Sequence, residues 1–309
     1  MGAYVDVQAL VALQYSARGF SIRSRKRVQS MLSGRHTSRM RGQGLDFEEL
    51  RSYVFGDDIR TLDWRVTARL QEPFVRVFTE ERDRPVMLLV DQRINMFFGS
   101  RLSTKSTTAA EVAALCAWSA YAQGDRVGAL VFNDSEMEEF QAKRSRSATV
   151  RILAGIARQN QSLNANSRER SNPGQLHKAL DRLQRIARRN FTIFLIGDFD
   201  GTDSTTSGFM SDLARSNDVA VFLVRDPFDE NLPAEGELIV GDGRLQAELP
   251  FHRGAFREKM LKASRRRIGD ILAWRQELQI PVLSVSTAED TAPQVRRLLG
   301  HINARPRRI

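Results

Sequence analysis

Along this chain the apolar residues change rhythm near residue 85. From there, short continuous apolar runs alternate with stretches of helical spacing. Val86–Val90 reads as a buried strand, and Thr104–Gln123 as a helix with Ala110, Ala113, Ala114, Ala117 and Ala120 at packing intervals. Gly124-Asp125 turns into a second strand, Val127–Phe132. Ala148–Arg158 and Gln175–Arg189 are amphipathic helices, Phe191–Ile196 a strand, Thr206–Ser216 a helix and Val219–Val224 a further strand. In "ELIVGDGRLQAEL" the pair Asp242-Gly243 separates two strand-like runs and predicts a β-hairpin inserted near 236–250. His252–Gln279 follows as a long basic helix, Pro281–Val285 as the last strand and Ala288–Gly300 as the closing helix. Strands apolar throughout, alternating with helices, imply an α/β domain over 81–309. Its sheet is doubly wound and mostly parallel, with helices on both faces.

The first eighty residues differ. Val5–Ala17 has the pattern of a short helix, while "SGRHTSRMRGQG" is too rich in Gly, Ser and Arg to enter a core. "LDFEELRSYVFGDDIRTLDWRVTARL" mixes acids, arginines and aromatics, and "PFVRVFTEE" alternates as an edge strand does. Residues 1–80 therefore read as a basic arm and a denser segment packed on the main domain.

The composition narrows the function classes. The chain has 309 residues and a formal charge of +10, unevenly spread. No Asp or Glu lies between Val7 and Leu45, where Arg18, Arg23, Arg25, Lys26, Arg27, Arg35, Arg39 and Arg41 fall. The Arg253–Arg267 helix and the tail "ARPRRI" add to it. Such patches attract nucleic acid, anionic lipid or acidic protein surfaces, and equally serve as solvated faces. Aromatic residues do not interleave with them as in single-strand binders. No apolar run is long enough to span a bilayer, and a lone cysteine, Cys116, precludes an intramolecular disulfide. A cytoplasmic protein is the simplest reading.

In a doubly wound sheet, ligands sit beyond the carboxyl ends of the strands. Asp91 ends the first core strand and Asp198 follows "FTIFLI", with Asp200 two residues on. These acids form either a site or ordinary helix and turn caps. The recognised catalytic motifs are missing: no P-loop, no G-x-G-x-x-G after a strand, no zinc spacing and no G-x-S-x-G elbow. His36, His177, His252 and His301 lie in polar segments and read as surface residues. A hydrolase built on Asp57, Asp58 or Asp198 lacks an evident nucleophile or base.

One segment carries a resemblance. "GQGLDFEELRSYVFGDDIRTLDWRVTARLQEPFVRVFTEERD", Gly42 to Asp83, resembles the signature of the domain-of-unknown-function family 58, through Gly44, Phe47, Leu50, Arg51, Tyr53, Gly56, Asp57, Asp58, Arg60, Asp63, Trp64 and Arg65. "VMLLVD", "GDRVGALVF" and "FLIGDFD" follow in the expected order, so the resemblance spans roughly Gly34 to Ser286. It implies a von Willebrand factor A-like fold and a MoxR-type AAA+ ATPase as partner, with other von Willebrand factor A-like proteins as further candidates. The implied role is that of a non-enzymatic adaptor or co-chaperone. In the signature, Asp57, Asp58 and Asp63 interleave with Arg60, Arg65 and Arg69, and are expected to form an ion-pair network anchored by Trp64. That network is read first as structural.

The resemblance also implies a metal-ion-dependent adhesion site whose first loop reads Asp-x-Ser-x-Ser. Here that loop is Asp91-Gln92-Arg93-Ile94-Asn95. Arg93 carries donors only and cannot coordinate a cation, whereas Asn95 retains a carbonyl oxygen. The second-loop threonine should fall near "RSNPGQL", where only Ser171 offers a hydroxyl beside Gly174 and Gln175; the third loop keeps Asp198. The expectation is a degenerate site in which Arg93 replaces the metal by an internal salt bridge. The competing expectation is that Arg93 points outward, leaving Asp91, Asn95 and Asp198 a weak Mg²⁺ or Mn²⁺ site or offering Arg93 to a partner carboxylate. A nucleic-acid-binding role for the basic arm and the Arg253–Arg267 helix is the alternative function.

Overall fold

The computed structural model describes residues 2–18, 45–55, 57, 59–80, 85–164, 171–229, 238–241, 246–249 and 254–303. Two compact units emerge: residues 28–83 form one, and residues 1–27 with 84–309 form the other. The first eighty residues are thus divided between them. The N-terminal helix α1 (Val7–Ala12) belongs to the larger unit, capped by Asp6, which accepts from the Ala9 amide at 2.7 Å. Leu10 of α1 is fully buried, and its carbonyl accepts from the Trp118 indole at 3.0 Å.

In the smaller unit, β1 (Leu45–Ser52) pairs antiparallel with β2 (Phe74–Glu80) across a bulge at Phe47/Glu49. Between them lies the short helix α2 (Trp64–Leu70), whose N-cap is Asp63.

The larger unit is built on a six-stranded sheet. In chain order its strands are β3 (Val86–Asp91), β4 (Val127–Phe132), β5 (Met137–Lys143), β6 (Thr192–Gly197), β7 (Asp218–Arg225) and, after the β8 (Leu238–Gly241) and β9 (Gln246–Leu249) hairpin, β10 (Val282–Ser286). The spatial order is β10-β7-β6-β3-β4-β5, parallel except for the antiparallel edge strand β5. Alternation within each strand sends side chains to two cores. Val86, Leu88 and Val90 meet α1, α3 (Lys105–Ala122), α4 (Arg146–Ser162) and α8 (Thr291–Asn303). Met87 and Leu89 face the opposite layer, α5 (Gly174–Ile186), α6 (Ser204–Ser216) and α7 (Gly254–Glu277).

The mostly parallel α/β architecture expected from the apolar rhythm is therefore present. The hairpin strands flank the predicted Asp242-Gly243 turn, which itself lies outside the described residues. The chain leaves β3 in one direction for β4 and later crosses to its other side for β6. That reversal makes the carboxyl ends of β3 and β6 the topological switch point.

Helix α7 is fixed to the sheet through Trp274, which is 1 % exposed, stacks edge-on against Phe199 at 5.8 Å and donates to Ser207 Oγ at 3.3 Å. Trp274→Ala is expected to destabilise the larger unit by about 3–5 kcal/mol, as large-to-small changes of buried aromatics do. Urea unfolding followed by circular dichroism checks this.

Candidate functional site

The loop after β3 is tightly specified by its own polar groups. Asp91, 3 % exposed, accepts the Arg93 amide on Oδ1 at 3.0 Å, which closes a turn and starts a short 3-10 segment, Ile94–Met96. Gln92 is fully buried, donates to the Ser106 carbonyl at 3.0 Å and accepts from Asn160 at 3.1 Å. Asn160 in turn accepts the Val5 amide at 2.8 Å. This amide relay ties the loop to α3, α4 and the N-terminal segment.

Arg93 is also fully buried. Its Nε donates to both Asp91 oxygens at 3.0 and 3.1 Å, and Nη2 to Asp91 Oδ2 at 2.7 Å and to the Asp200 carbonyl at 3.0 Å. The guanidinium also stands 5.6 Å from the centroid of the Phe132 ring. It is therefore not presented to solvent, which corrects the expectation that it points outward toward a partner carboxylate. The turn puts three donors of Arg93 on the nearest acid, and Phe132 closes over it.

The loop after β6 supplies the second acid. Gly197 precedes it, and a Cβ there would lie 2.8 Å from the Asp91 Cβ, so only glycine lets the two strand ends approach this closely. Phe199 adopts a left-handed φ of 55°, a strained conformation of the kind found at functional sites. It lets the Asp200 amide donate back to Asp198 Oδ1 at 3.0 Å. Asp198, 2 % exposed, also accepts from Asn95 Nδ2 at 2.8 Å and Lys105 Nζ at 3.3 Å, with Arg267 Nη1 3.8 Å away.

Lys105 further reaches Asp229 at 3.3 Å, and Arg267 pairs with Asp200 at 3.1 Å and Asp229 at 3.4 Å. The four predicted residues Asp91, Arg93, Asn95 and Asp198 are thus brought together with the neighbouring Asp200, and three charged groups from other elements join them. Lys105 opens α3, Arg267 comes from α7, and Asp229 from the turn after β7. None of the three had a sequence signal pointing here. A lysine in the first turn of a helix, against the macrodipole, is the nearest to one.

The electrostatics follow from burial and pairing. Burial pushes the Asp91 carboxyl up against the pull of Arg93, while Asp91 holds Arg93 more firmly charged despite its own burial. Burial also pushes Asp198 upward, but Lys105, Arg267 and Arg93 together outweigh it and hold its carboxyl below the usual range. Burial works against the charge of Arg267 as well, but Asp198, Asp229 and Asp200 outweigh it and hold that guanidinium ionised.

The donor set does not fit a divalent cation. Asp91 is taken by a guanidinium and Asp198 by an ammonium. Among the described residues no group of three or more His, Cys, Asp or Glu is arranged for metal binding. The "RSNPGQL" loop turns to a different acid: the Asn172 amide donates to Asp134 Oδ1 at 2.7 Å, and Gln175 to the Asp134 carbonyl at 3.0 Å. Ser171 is exposed. The space beside Asp91 amounts to about 10 Å³, room for one water and far below the several hundred Å³ of a ligand pocket.

In the signature segment, Gly56 and Asp58 lie outside the described residues. Asp57 takes Arg51 in a bidentate pair at 2.7 and 2.8 Å, and Asp63 caps α2 by accepting from the Arg65 and Val66 amides at 3.0 and 3.2 Å. Trp64 is 69 % exposed, so it does not anchor an ion-pair network as expected; it begins a helix and points to solvent. Arg60 and Arg65 are exposed as well. His177 is part-buried and bonds Asp203 and Thr206 at 3.1 and 3.0 Å. The predicted His36 and His252 surface positions lie outside the described residues, as does the side chain of His301.

Fold and site together define a doubly wound α/β domain whose switch-point acids are neutralised by side-chain cations. The chain belongs to the family described as "Protein of unknown function DUF58", which matches residues 49–268. It is similar to the uncharacterized protein Rv1480 of Mycobacterium tuberculosis and the uncharacterized protein Mb1516 of Mycobacterium bovis. Each is 28% identical over 289 residues, covering 93% of this chain and 89% of the relative. Among solved structures, proximal thread matrix protein 1 from the mussel byssus aligns with a TM-score of 0.37 and 9% identity. The alignment covers 71% of this chain and 47% of that one, a likeness too slight to carry an argument.

Two outcomes are expected from the buried pairs. Arg93→Met, which strands a buried carboxylate, should cost about 3–5 kcal/mol in urea unfolding, while Asp91→Asn combined with Arg93→Met should recover most of that loss. Asp198 releases its proton more readily folded than unfolded. Its stabilisation is therefore complete above the unfolded value of about 4 and is lost as pH falls through the lower folded value. Thermal midpoints measured between pH 6 and pH 3 should fall less steeply for Asp198→Asn than for the native chain.

Proposed function

We propose that this chain is a non-enzymatic protein-interaction module of von Willebrand factor A type, acting as adaptor or co-chaperone of a MoxR-type AAA+ ATPase. The observation that carries this reading is where the apolar surface lies. The large apolar side chains exposed among the described residues are Tyr15 and, in the signature unit, Leu50, Val54, Phe55, Ile59, Trp64 and Leu70. Exposed Trp, Phe and Ile beside arginines have the composition of binding hot spots rather than of a solvated face. The crevice agrees with this view. Its acids are already paired, so a partner is read to engage the signature unit rather than Arg93.

The location in the cell stays a proposal of the same kind. No helix among the described residues is long and apolar enough to cross a membrane. A nucleic-acid role keeps one supporting observation, since Lys262, Arg265 and Arg266 of α7 are exposed.

The tagged chain, purified from its native cell in nuclease-treated extract, is expected to bring down an AAA+ ATPase. Trp64→Ser and Ile59→Ser should cut that recovery several-fold while circular dichroism stays unchanged. Recovery of no ATPase, with retention on nucleic acid that falls steeply as salt rises, would favour the basic surfaces instead.

A further inference from the structure

Two buried carboxylates at a switch point, with an amide oxygen beside them, are the hard-oxygen donors a small divalent cation uses. Here each carboxylate instead has its own buried monovalent partner. Arg93 lies on Asp91 at 2.7 Å and Lys105 on Asp198 at 3.3 Å, their side chains 0 % and 6 % exposed. We infer that Arg93 and Lys105 together stand in for one divalent cation, each supplying one of the two positive charges that Asp91 and Asp198 require. The inference deepens the von Willebrand reading above, which supplies the reason a cation belongs at this point.

Three features support a substitution of charge for charge. Neither cation sits where packing alone would put it: Arg93 is sealed under Phe132, and Lys105 occupies the first position of α3, where the helix dipole disfavours a positive charge. The fit is also imperfect in a telling way. Arg93 Nη1 and Asn95 Oδ1 are both buried without a hydrogen-bond partner. Asn95 has turned its NH₂ group to Asp198 and left over the carbonyl oxygen that would ligate a metal. Finally, the third cation, Arg267, stands farther out. At 3.8 Å from Asp198 and paired mainly with Asp200 and Asp229, it belongs to the rim and does not complete the inner pairs.

The consequence is a crevice that stays neutralised whatever the divalent-ion concentration. Chelators should then leave the crevice itself unchanged.

The test restores the missing ligands. Arg93→Ser with Lys105→Ala removes both charges and returns a hydroxyl to the loop. In EDTA this double variant should melt well below the native chain. Mn²⁺ should raise its midpoint and bind with a Kd of about 1 mM or tighter, the range of weak oxygen-ligand sites. The native chain should show neither response, and adding Asp91→Asn to the double variant should abolish both. A native chain stabilised by Mn²⁺ through Asp91 overturns the inference, as does a folded double variant that takes up no ion. Should the double variant fail to fold, Lys105→Met alone is compared with Lys105→Met plus Asp198→Asn. Removing cation and acid together should cost far less than removing the cation, and equal losses would refute the pairing. These readings use the isolated chain, so they stand or fall apart from any ATPase recovery.

Discussion

A fully buried guanidinium on a buried carboxylate governs the carboxyl end of this sheet. Taking both charges out of water is expensive, and the attraction between them offsets that only when the remaining donors are also satisfied. Arg93 meets most of this condition through the chain around it. Its backbone amide binds the same Asp91, its Nη2 reaches the Asp200 carbonyl, and its plane lies near Phe132. Each of these contacts fixes a loop. The turn at Arg93 aims Asn95 at Asp198, and the bond to Asp200 holds the strained turn at Phe199. Asp198 then draws Lys105 inward from α3 and has Arg267 of α7 within 3.8 Å. One pair thus organises elements far apart in sequence, and an uncompensated change at either member reaches all of them.

The apolar rhythm made much of this fold legible, because buried parallel strands must be apolar on both faces. Val86–Val90 and Val127–Phe132 are strands with the expected limits to within a residue, and α3 begins one residue after the predicted start. Two strands that lack this property, β1 and β5, were missed. β5 has one side open to water, so its sequence, "MEEFQAK", carries charge where a core strand carries valine. β1, "LDFEELRS", likewise shows no apolar run in its sequence, with acids at Asp46, Glu48 and Glu49. The site was legible only as far as its acids follow strands. Asp91 and Asp198 could be placed by topology, whereas Lys105, Arg267 and Asp229 come from elements whose convergence depends on the order of strands across the sheet.

The signature segment shows the difference between recognising residues and knowing their work. Asp63 followed by a helical pattern is an N-cap by simple chemistry, and it acts as one. Trp64 beside it reads as an anchor by size, yet helix geometry turns it outward while Asp63 is buried. An exposed tryptophan offers a large apolar area to whatever covers it, so size alone does not assign such a residue to a core.

Charge shows the same separation. A formal +10 suggests an anionic partner, but a positive side chain acts on a partner only where it is not already engaged. Arg93, Lys105 and Arg267 are positive in the total and internal in the structure, facing Asp91, Asp198, Asp200 and Asp229. The most exposed of these acids, Asp200, is at the rim of the crevice. The basic helix contributes outward only through residues such as Lys262 and Arg266, while its Arg267 serves the interior. At the carboxyl end of the sheet, Arg93, Lys105 and Arg267 are thus spent on the chain's own acids, and their charge counts toward the fold rather than toward the basic surface.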